Sequence, residues 1–409
     1  MEPNSKISKI IAEEIKDSRG NPTIKVTVWV GDFNGSFSVP SGASTGAREA
    51  HELRDEGGKG VKNAINQVNN AIASVLVGMD VLNQRDIDKK MIELDGTPSK
   101  DKLGGNSMIG VSVACAKVAA QVSNKEVFEY LQMLTEIKPS RKIPYLYMNL
   151  INGGMHAKNN LAFQEYHIVP DTSNVSEAIS MGIKIQNSLK EIIMRDLGAE
   201  SVVFGDEGGF APKIQDIKQP LFYLREAIKE SELEGQIRLA LDVAGSSFFQ
   251  NGMYKIDGKD ISKEELLNLY KSLIKEFNLL SIEDPFDEKD FDSFAKLKES
   301  KEVLVVGDDL TVTNVLSLKK AIEKNSISAM IIKPNQIGTL SETLDTMKLA
   351  RENDIELIVS HRSGETDDDF IADLAYAFGC FGLKAGAPTK SERMVKYKRL
   401  EKISNLLQA

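Results

Sequence analysis

Six short apolar runs in the later part of the chain each end in a residue that could take part in catalysis. The runs are IRLALD, LLSIE, VLVVGD, AMIIK, ELIVSH and CFGLK, and they end at Asp242, Glu283, Asp308, Lys333, His361 and Lys384. A charge just past a strand is most often a solvated loop residue or a helix cap. If the runs are strands of one barrel, however, all six side chains converge on one mouth, where unpaired charges would be costly.

Three of these residues are carboxylates, and their chemistry suits a hard cation. Asp242, Glu283 and Asp308 have no cysteine near them in the sequence. Oxygen ligands of this kind favour Mg²⁺, which keeps its other positions for water or substrate, whereas Zn²⁺ more often takes His or Cys. The alternative is that the three carboxylates pair with arginines.

Lys333 and Lys384 are the two lysines among the six. A lysine beside a divalent cation and a second ammonium has its neutral form favoured, which suits it to proton abstraction. The alternative is that both lysines form salt bridges with the carboxylates.

Two loops suggest ligand contacts. HRSGE (361–365) offers the guanidinium of Arg362, the hydroxyl of Ser363 and backbone N–H groups at Gly364 as a seat for phosphate. SGASTGA (41–47) has no lysine of a P-loop, so it is either a solvent loop or an active-site lid.

Further acid–base candidates lie outside the six runs. Glu207 stands between glycines in GDEGGFAP, and Glu165 lies at one end of another candidate strand. Two carboxyl groups near one site can share a proton, which would keep one of them protonated at neutral pH. His156 is one of four histidines, and a lone histidine is more often structural than catalytic.

The elements that must position these residues are predicted from hydrophobic patterning. With YLYMNL and YHIVP the candidate strands number eight, and spacings near 25 residues indicate βα units, parallel strands and a closed barrel. Before them, residues 22–31 alternate as a half-buried strand does, and 46–54, 61–77 and 106–120 have helical spacing. The polar stretch Thr135 to Arg141 predicts a linker, so we expect domains at 1–134 and 135–409.

Composition excludes several classes of protein. The 409 residues are 41% hydrophobic and 27% charged, unlike a disordered, collagenous or disulfide-rich chain. A net charge of −9 disfavours nucleic acid as a partner, and no stretch is apolar for the roughly 18 residues of a membrane span. The charged N-terminal segment and two isolated cysteines, Cys115 and Cys380, predict a cytoplasmic protein.

Eight motifs resemble those of the enolase family and follow the family's order from residue 18 to residue 393. They are SRGNPT (18–23), SGASTGAREAHELRD (41–55), GDEGGFAP (205–212), SIEDPF (281–286), DDLTVTN (308–314), NQIGTLSET (335–343), SHRSGETDDDF (360–370) and KAGAPTKSER (384–393). The resemblance covers nearly the whole chain. It implies an α/β barrel of the ββαα(βα)6 type with an α+β N-terminal capping domain. The implied activity is the reversible, Mg²⁺-dependent dehydration of 2-phosphoglycerate to phosphoenolpyruvate, a step of glycolysis.

The resemblance also implies roles for individual positions. Two Mg²⁺ ions per site are expected, the first held by Asp242, Glu283 and Asp308 and the second with help from Ser44. The catalytic residues it implies are Lys333 as the base at C2, Glu207 as the acid at the C3 hydroxyl, Glu165 and His156. The substrate-binding residues it implies are Gln164, His156, Glu165, Glu283, Asp308, Lys333, His361, Arg362, Ser363 and Lys384.

Some expectations remain open at this stage. By resemblance the protein is a homodimer or a dimer-based oligomer, and a second pool at the cell surface is conceivable for this family. Departures from the family pattern at Met155, Lys158 and Pro334 affect loop closure and rate more than reaction type. Two alternatives to this activity are a related enzyme that acts on an unphosphorylated acid, and a non-catalytic paralogue with a binding role.

Overall fold

The chain opens with a small antiparallel sheet. The computed structural model describes residues 5–42, 46–157, 159–214 and 216–406. Its first strands, paired in the order β1-β2-β3, are β1 (Lys9–Lys16), β2 (Pro22–Val30) and β3 (Phe33–Ser38). Ile24, Val26, Val28 and Val30 are buried on one face of β2, with the period of two that a half-covered strand requires. The strand predicted over 22–31 is confirmed.

Helices follow this sheet. They are α1 (Lys62–Asn66), a π-helical turn (Gln67–Ile72), α2 (Ala73–Leu76), α3 (Gln84–Asp95), α4 (Gly105–Val122) and α5 (Val127–Met133). Of these, α1, α2 and α4 pack against the sheet. Helix α4 packs so closely on β2 that a Cβ atom on Gly110 would lie 2.6 Å from Val26 Cγ2. The helices predicted over 61–77 and 106–120 are confirmed.

The prediction of a helix over residues 46–54 is wrong, because this segment forms only turns and irregular backbone. Its N–H groups are used elsewhere. Ala50 donates to the carbonyl of Gln336 at 2.7 Å, and His51 donates to the carbonyl of Ser99 at 2.7 Å. These tertiary hydrogen bonds outweigh a weak local propensity and bind the segment to neighbouring loops.

The remaining strands build a barrel and a small side sheet. They are β4 (Tyr145–Asn152), β5 (Glu165–Pro170), β6 (Ile237–Asp242), β7 (Phe249–Gln250), β8 (Met253–Ile256), β9 (Lys259–Ile261), β10 (Leu279–Glu283), β11 (Leu304–Gly307), β12 (Ala329–Ile332), β13 (Glu356–Ser360) and β14 (Gly382–Lys384). The closed barrel has the order β10-β11-β12-β13-β14-β4-β5-β6, and β7-β8-β9 form a separate antiparallel sheet.

The barrel's outer layer is helical. Its helices are α6 (Val175–Leu197), α7 (Gln219–Glu230), α8 (Lys263–Phe277), α9 (Phe291–Lys298), α10 (Val315–Glu323), α11 (Leu340–Arg351), α12 (Phe370–Ala377) and α13 (Ser391–Leu406). Small and branched side chains fill the interior, among them Val306, Ala329, Ile331 and Ile358. Because the strands are covered on both faces, they read as continuous apolar runs in the sequence.

All eight predicted runs are strands of this barrel, but one of them runs the other way. Strand β5 pairs antiparallel with both β4 and β6, so the expectation that every strand is parallel is wrong for β5. The chain order β4, β5, α6, α7, followed by six strand–helix units, is the ββαα(βα)6 arrangement that the resemblance implies. Among the described residues, no helix has both the length and the apolar character needed to cross a membrane.

Candidate active site

The C-terminal ends of the barrel strands gather the six charged or polar residues predicted from the sequence. Glu283, Asp242 and Lys384 are the last residues of their strands, whereas Asp308, Lys333 and His361 directly follow theirs. The reversed direction of β5 adds Glu165 to this end, because its first residue lies opposite Asp242 in the ladder. In barrels of this architecture the chemistry takes place at this face.

Lys384 lies at the centre of the cluster. Its Nζ donates to Asp242 Oδ2 at 2.8 Å and to both carboxylate oxygens of Glu283 at 3.0 and 2.9 Å, and it lies 3.2 Å from Glu165 Oε2. Burial disfavours the ammonium, but these carboxylates outweigh it and raise the pKa of Lys384 well above its ordinary value. Lys384 is therefore charged.

Lys333 is also paired with a carboxylate. Its Nζ donates to Asp308 Oδ2, and Gln336 donates to Asp308 Oδ1 at 2.9 Å. Burial and the charges of Arg362 and Lys384 lower the pKa of Lys333, yet Asp308 raises it above its ordinary value on balance. The sequence-based expectation of a favoured neutral lysine assumed a bound divalent cation, so it stays a prediction. The salt bridges of the alternative interpretation are present at both lysines.

The donor set at this mouth fits a hard divalent cation. Burial, followed by the charge of Asp242, raises the pKa of Glu283 well above its usual range. Carboxylate oxygens are the donors that Mg²⁺ prefers. Oxygens of Asp284, Asp308 and Asp309 lie within 4.8 Å of one another, whereas Asp242 and Glu283 are linked through Lys384 Nζ. Ser44, predicted as a ligand of a second ion, lies outside the described residues.

A group of buried carboxylates and histidines lies beside the lysines. His156 Nδ1 is 3.1 Å from Glu165 Oε1 and 3.4 Å from Glu207 Oε1. His167 Nε2 is 2.8 Å from Glu165 Oε2, and Asn149 donates to Glu207 Oε2 at 2.9 Å.

Neighbouring groups favour the ionised form of both Glu165 and Glu207. Burial opposes ionisation, but Lys384, His156 and His167 hold the pKa of Glu165 well below its usual range. The pKa of Glu207 is lowered as well, because His361 and His156 outweigh burial and the charge of Glu165. The expectation that the two share a proton stays a prediction, and the surrounding cationic and N–H-bearing groups oppose it in this arrangement.

The guanidinium of Arg362 is buried and engaged by a glutamate from the N-terminal part of the chain. Its Nη1 and Nη2 donate to the two carboxylate oxygens of Glu49 at 2.9 and 3.2 Å, and Nη1 also donates to Asn335 Oδ1 at 3.1 Å. Next to this pair is a cavity of about 330 Å³ lined in part by Gly42, His51 and Arg362. Segment 46–50 therefore closes over the predicted phosphate seat.

The predicted residues enclose one very small space. A cavity of about 20 Å³ is lined by His156, Gln164, Glu165, Glu207, Asp242, Lys333, Ser360, His361, Arg362, Ser363 and Lys384. This volume holds about one water molecule, so the side chains that line it lie close together.

Sequence reasoning missed several residues that touch this group. Asn149 holds Glu207, Gln336 holds Asp308, and Glu49 holds Arg362. Arg393 donates to His361 Nδ1 at 2.6 Å. Glu49, Gln336 and Arg393 lie inside the motifs quoted above, so the motifs pointed to the segments but not to these side chains.

Together these features define a class of protein: a β/α-barrel enzyme with a buried, highly charged centre suited to proton transfer beside a hard cation. Two family models match the chain. The enolase N-terminal domain matches residues 7–131, and the enolase C-terminal TIM barrel domain matches residues 140–409.

Relatives named enolase are similar over the full length. The protein of Methanocaldococcus jannaschii is 45% identical over 100% of this chain and 97% of the relative. The Methanococcus aeolicus protein is 46% identical over 98% of this chain and 96% of the relative. The Thermococcus kodakarensis protein is 44% identical over 100% of this chain and 96% of the relative. The chain belongs to the enolase family, whose members are carbon–oxygen lyases of glycolysis.

Proposed function

We propose that this chain catalyses the reversible dehydration of 2-phosphoglycerate to phosphoenolpyruvate with two Mg²⁺ ions per site. The observation that carries the proposal is the lining of one small pocket. There Lys333, Lys384 and Arg362 meet the buried carboxylates Glu165 and Glu207. A base, an acid and two anion-binding cations are the groups that elimination of water from a phosphorylated hydroxy acid requires.

The ions would be held by the carboxylates now paired with lysine. Asp242, Glu283 and Asp308 would hold the first, and Ser44 would contribute to the second. When bound, Mg²⁺ supplies the positive charge that stabilises the two negative charges formed when a carboxylic acid loses its α-proton.

Lys333 would be the base at C2. Its present partner is Asp308, a carboxylate that a cation would engage. Loss of that partner removes the main influence that raises the pKa of Lys333, and the neutral form becomes accessible. Lys384 would then turn from Asp242 and Glu283 towards the substrate carboxylate.

Glu207 and Glu165 would serve the departing C3 hydroxyl. The ionised form of both is favoured while Lys384 contacts Glu165. Engagement of Lys384 by an anionic substrate weakens that stabilisation, so the pair can take up the proton that the leaving hydroxide needs. His156, Gln164 and His361 line the same pocket and would fix the substrate's orientation.

Arg362 and Ser363 would bind the phosphate. The planar guanidinium already holds a bidentate anion, the carboxylate of Glu49, and phosphate presents a similar pair of oxygens. This seat distinguishes a phosphorylated substrate from the unphosphorylated acids of related enzymes.

The wider assignment follows the same family. We propose a homodimer, or an oligomer built from dimers, that works in the cytoplasm, with a capping domain over 1–134 and the barrel over 135–409. The N-terminal family model ends at residue 131 and the C-terminal model begins at residue 140, which supports this boundary.

A continuous ultraviolet assay of phosphoenolpyruvate formation tests the proposal. We expect turnover of 2-phosphoglycerate with Mg²⁺, its loss with excess chelator, and a fall of at least about 10³-fold in kcat for Lys333→Ala. Lys324→Ala removes an exposed lysine outside the site and is the matched control. No turnover by folded protein with Mg²⁺ would favour a non-catalytic paralogue, and turnover of unphosphorylated glycerate instead would favour a different reaction of the same architecture.

A further inference from the structure

Arg393 is a fully buried arginine that contacts two segments of the site at once. Its side chain has 0% exposure. Nη1 donates to His361 Nδ1 at 2.6 Å and to the carbonyl of Arg362 at 2.7 Å. Nη2 donates to the carbonyl of Ser363 at 2.7 Å and to that of Asp206 at 3.2 Å. One guanidinium therefore connects the phosphate seat to the residue that precedes Glu207.

The contact with His361 fixes the protonation of that ring. A guanidinium can only donate hydrogen bonds, so Nδ1 of His361 must carry a lone pair and the proton must be on Nε2. Nε2 lies 3.4 Å from Glu207 Oε2. The charged groups that face the His361 ring are therefore the guanidinium of Arg393 and the carboxylate of Glu207, and Glu165 is a more distant charge.

The ring and the guanidinium have little room to move. Gly386 has φ of +85°, and a Cβ atom at that position would lie 3.0 Å from Arg393 Cδ and 3.1 Å from His361 Cε1. This tight packing keeps the hydrogen-bond geometry in place without a ligand.

We propose that Arg393 is a positioning residue that holds His361 as the neutral Nε2–H tautomer and aims this N–H at Glu207 Oε2. The proposal rests on the proposed function, in which Glu207 serves the leaving hydroxide. Glu207 Oε2 already accepts from Asn149 and Oε1 lies 3.4 Å from His156 Nδ1, so an N–H of His361 aimed at Oε2 would help to fix the orientation of this carboxylate. Arg393 acts through His361, Glu207 and the Arg362–Ser363 backbone, without touching the substrate itself.

The tautomer can be measured directly. Nitrogen-15 NMR of protein labelled in its histidine rings distinguishes protonated from unprotonated ring nitrogens, and the chain has only four histidines. A His361→Gln variant assigns the signals of this ring. At neutral pH we expect Nδ1 of His361 to be unprotonated and Nε2 to be protonated. An Nδ1–H tautomer or a doubly protonated ring in the wild type would overturn the proposal.

Two variants and a control connect the tautomer to catalysis. Arg393→Met removes every donor, and we expect a mixture of tautomers or a protonated His361 together with a fall in kcat of about 10- to 100-fold. Arg393→Lys retains one cationic donor, so it should restore part of the Nε2–H tautomer of His361 and part of kcat. Arg399→Lys, on the same helix and paired with Asp373 and Glu126 outside the site, should change neither.

The outcomes separate this proposal from the proposed function. An unchanged His361 spectrum in Arg393→Met, or an unchanged kcat with a changed spectrum, refutes the positioning role. If Arg393→Met does not fold, the wild-type tautomer and the spectrum and kcat of Arg393→Lys decide. If the wild type does not turn over 2-phosphoglycerate, the proposed function fails, whereas the NMR signature still reports the arginine–histidine contact.

Discussion

Replacement of Lys384 by methionine tests whether the ammonium occupies the position of a metal ion. The variant keeps most of the side chain's volume but leaves Asp242, Glu283 and Glu165 without the cation that lies within 3.2 Å of each. Removing one partner from a buried ion pair costs about 3–5 kcal/mol. At about 2 °C per kcal/mol for a domain of this size, the chelator-treated variant should melt about 6–10 °C below the wild type.

Magnesium should reverse much of this loss. In the wild type the ion must displace an ammonium that donates to both Asp242 and Glu283, whereas in Lys384→Met it meets carboxylates that have no competitor. A ligand that binds only the folded state stabilises it by an amount that grows with its affinity. The increase in melting temperature between chelator and saturating Mg²⁺ should therefore be larger in the variant than in the wild type, although the variant is inactive.

Lys396→Met provides the matched control for this experiment. Lys396 is also a buried lysine, and its Nζ lies 2.7 Å from Glu365, away from the strand-end carboxylates. We expect Lys396→Met to lower the melting temperature without enlarging the response to Mg²⁺. The reasoning is refuted if Lys384→Met melts with the wild type in chelator, or if its response to Mg²⁺ is equal to or smaller than that of the wild type.

Three further predictions concern the surroundings of the site. Glu49→Gln leaves Arg362 without a charged bidentate partner, so inorganic phosphate should bind about tenfold or more tightly by calorimetry; weaker binding would mean that Glu49 supports the bound anion. Burial is the largest single influence on the pKa of Glu365 and raises it, but Lys396 and Arg393 together lower that pKa below its ordinary value of 4.5. The stabilisation by the ionised Glu365 is therefore present above pH 4.5 and lost as the pH falls through the folded pKa. Glu365→Gln should be less stable at pH 7 and lose less free energy of unfolding on acidification. Gly110→Val should cost about 1–3 kcal/mol in denaturant unfolding because its position is already in close contact, and an unchanged midpoint would show that the helix and sheet can move apart.

The strands were predictable because burial on both faces leaves a strong pattern, but their directions were not. The run YHIVP has the same apolar character in either orientation, so nothing in it indicates that β5 is antiparallel. This direction decides which end of the strand joins the mouth of the barrel. The antiparallel direction brings Glu165 opposite Asp242 at the mouth of the barrel. The resemblance to enolases had implied a catalytic role for Glu165, but the hydrophobic periodicity had not.

Side-chain partners were less predictable than strand ends. In the sequence, Arg393 follows Ser391 and Glu392 at the start of a polar helix, a setting typical of an exposed arginine. It is buried because the loop that contains His361 packs against it and supplies carbonyl acceptors. Such a contact links residues 30 or more positions apart, and local sequence carries no information about it.

The charges at the mouth of the barrel also imply an order of binding. Carboxylates outnumber ammonium groups there, since Asp308 pairs with Lys333, and Glu165, Asp242 and Glu283 surround Lys384. A phosphorylated acid entering first would meet that negative charge, and Lys384 would have to leave Asp242 and Glu283 without a replacement cation. Asp242 and Glu283 would hold a divalent ion, which would supply the replacement cation and leave Lys384 available for the substrate. Binding of 2-phosphoglycerate should therefore require Mg²⁺, and calorimetry in excess chelator should detect no binding at this site.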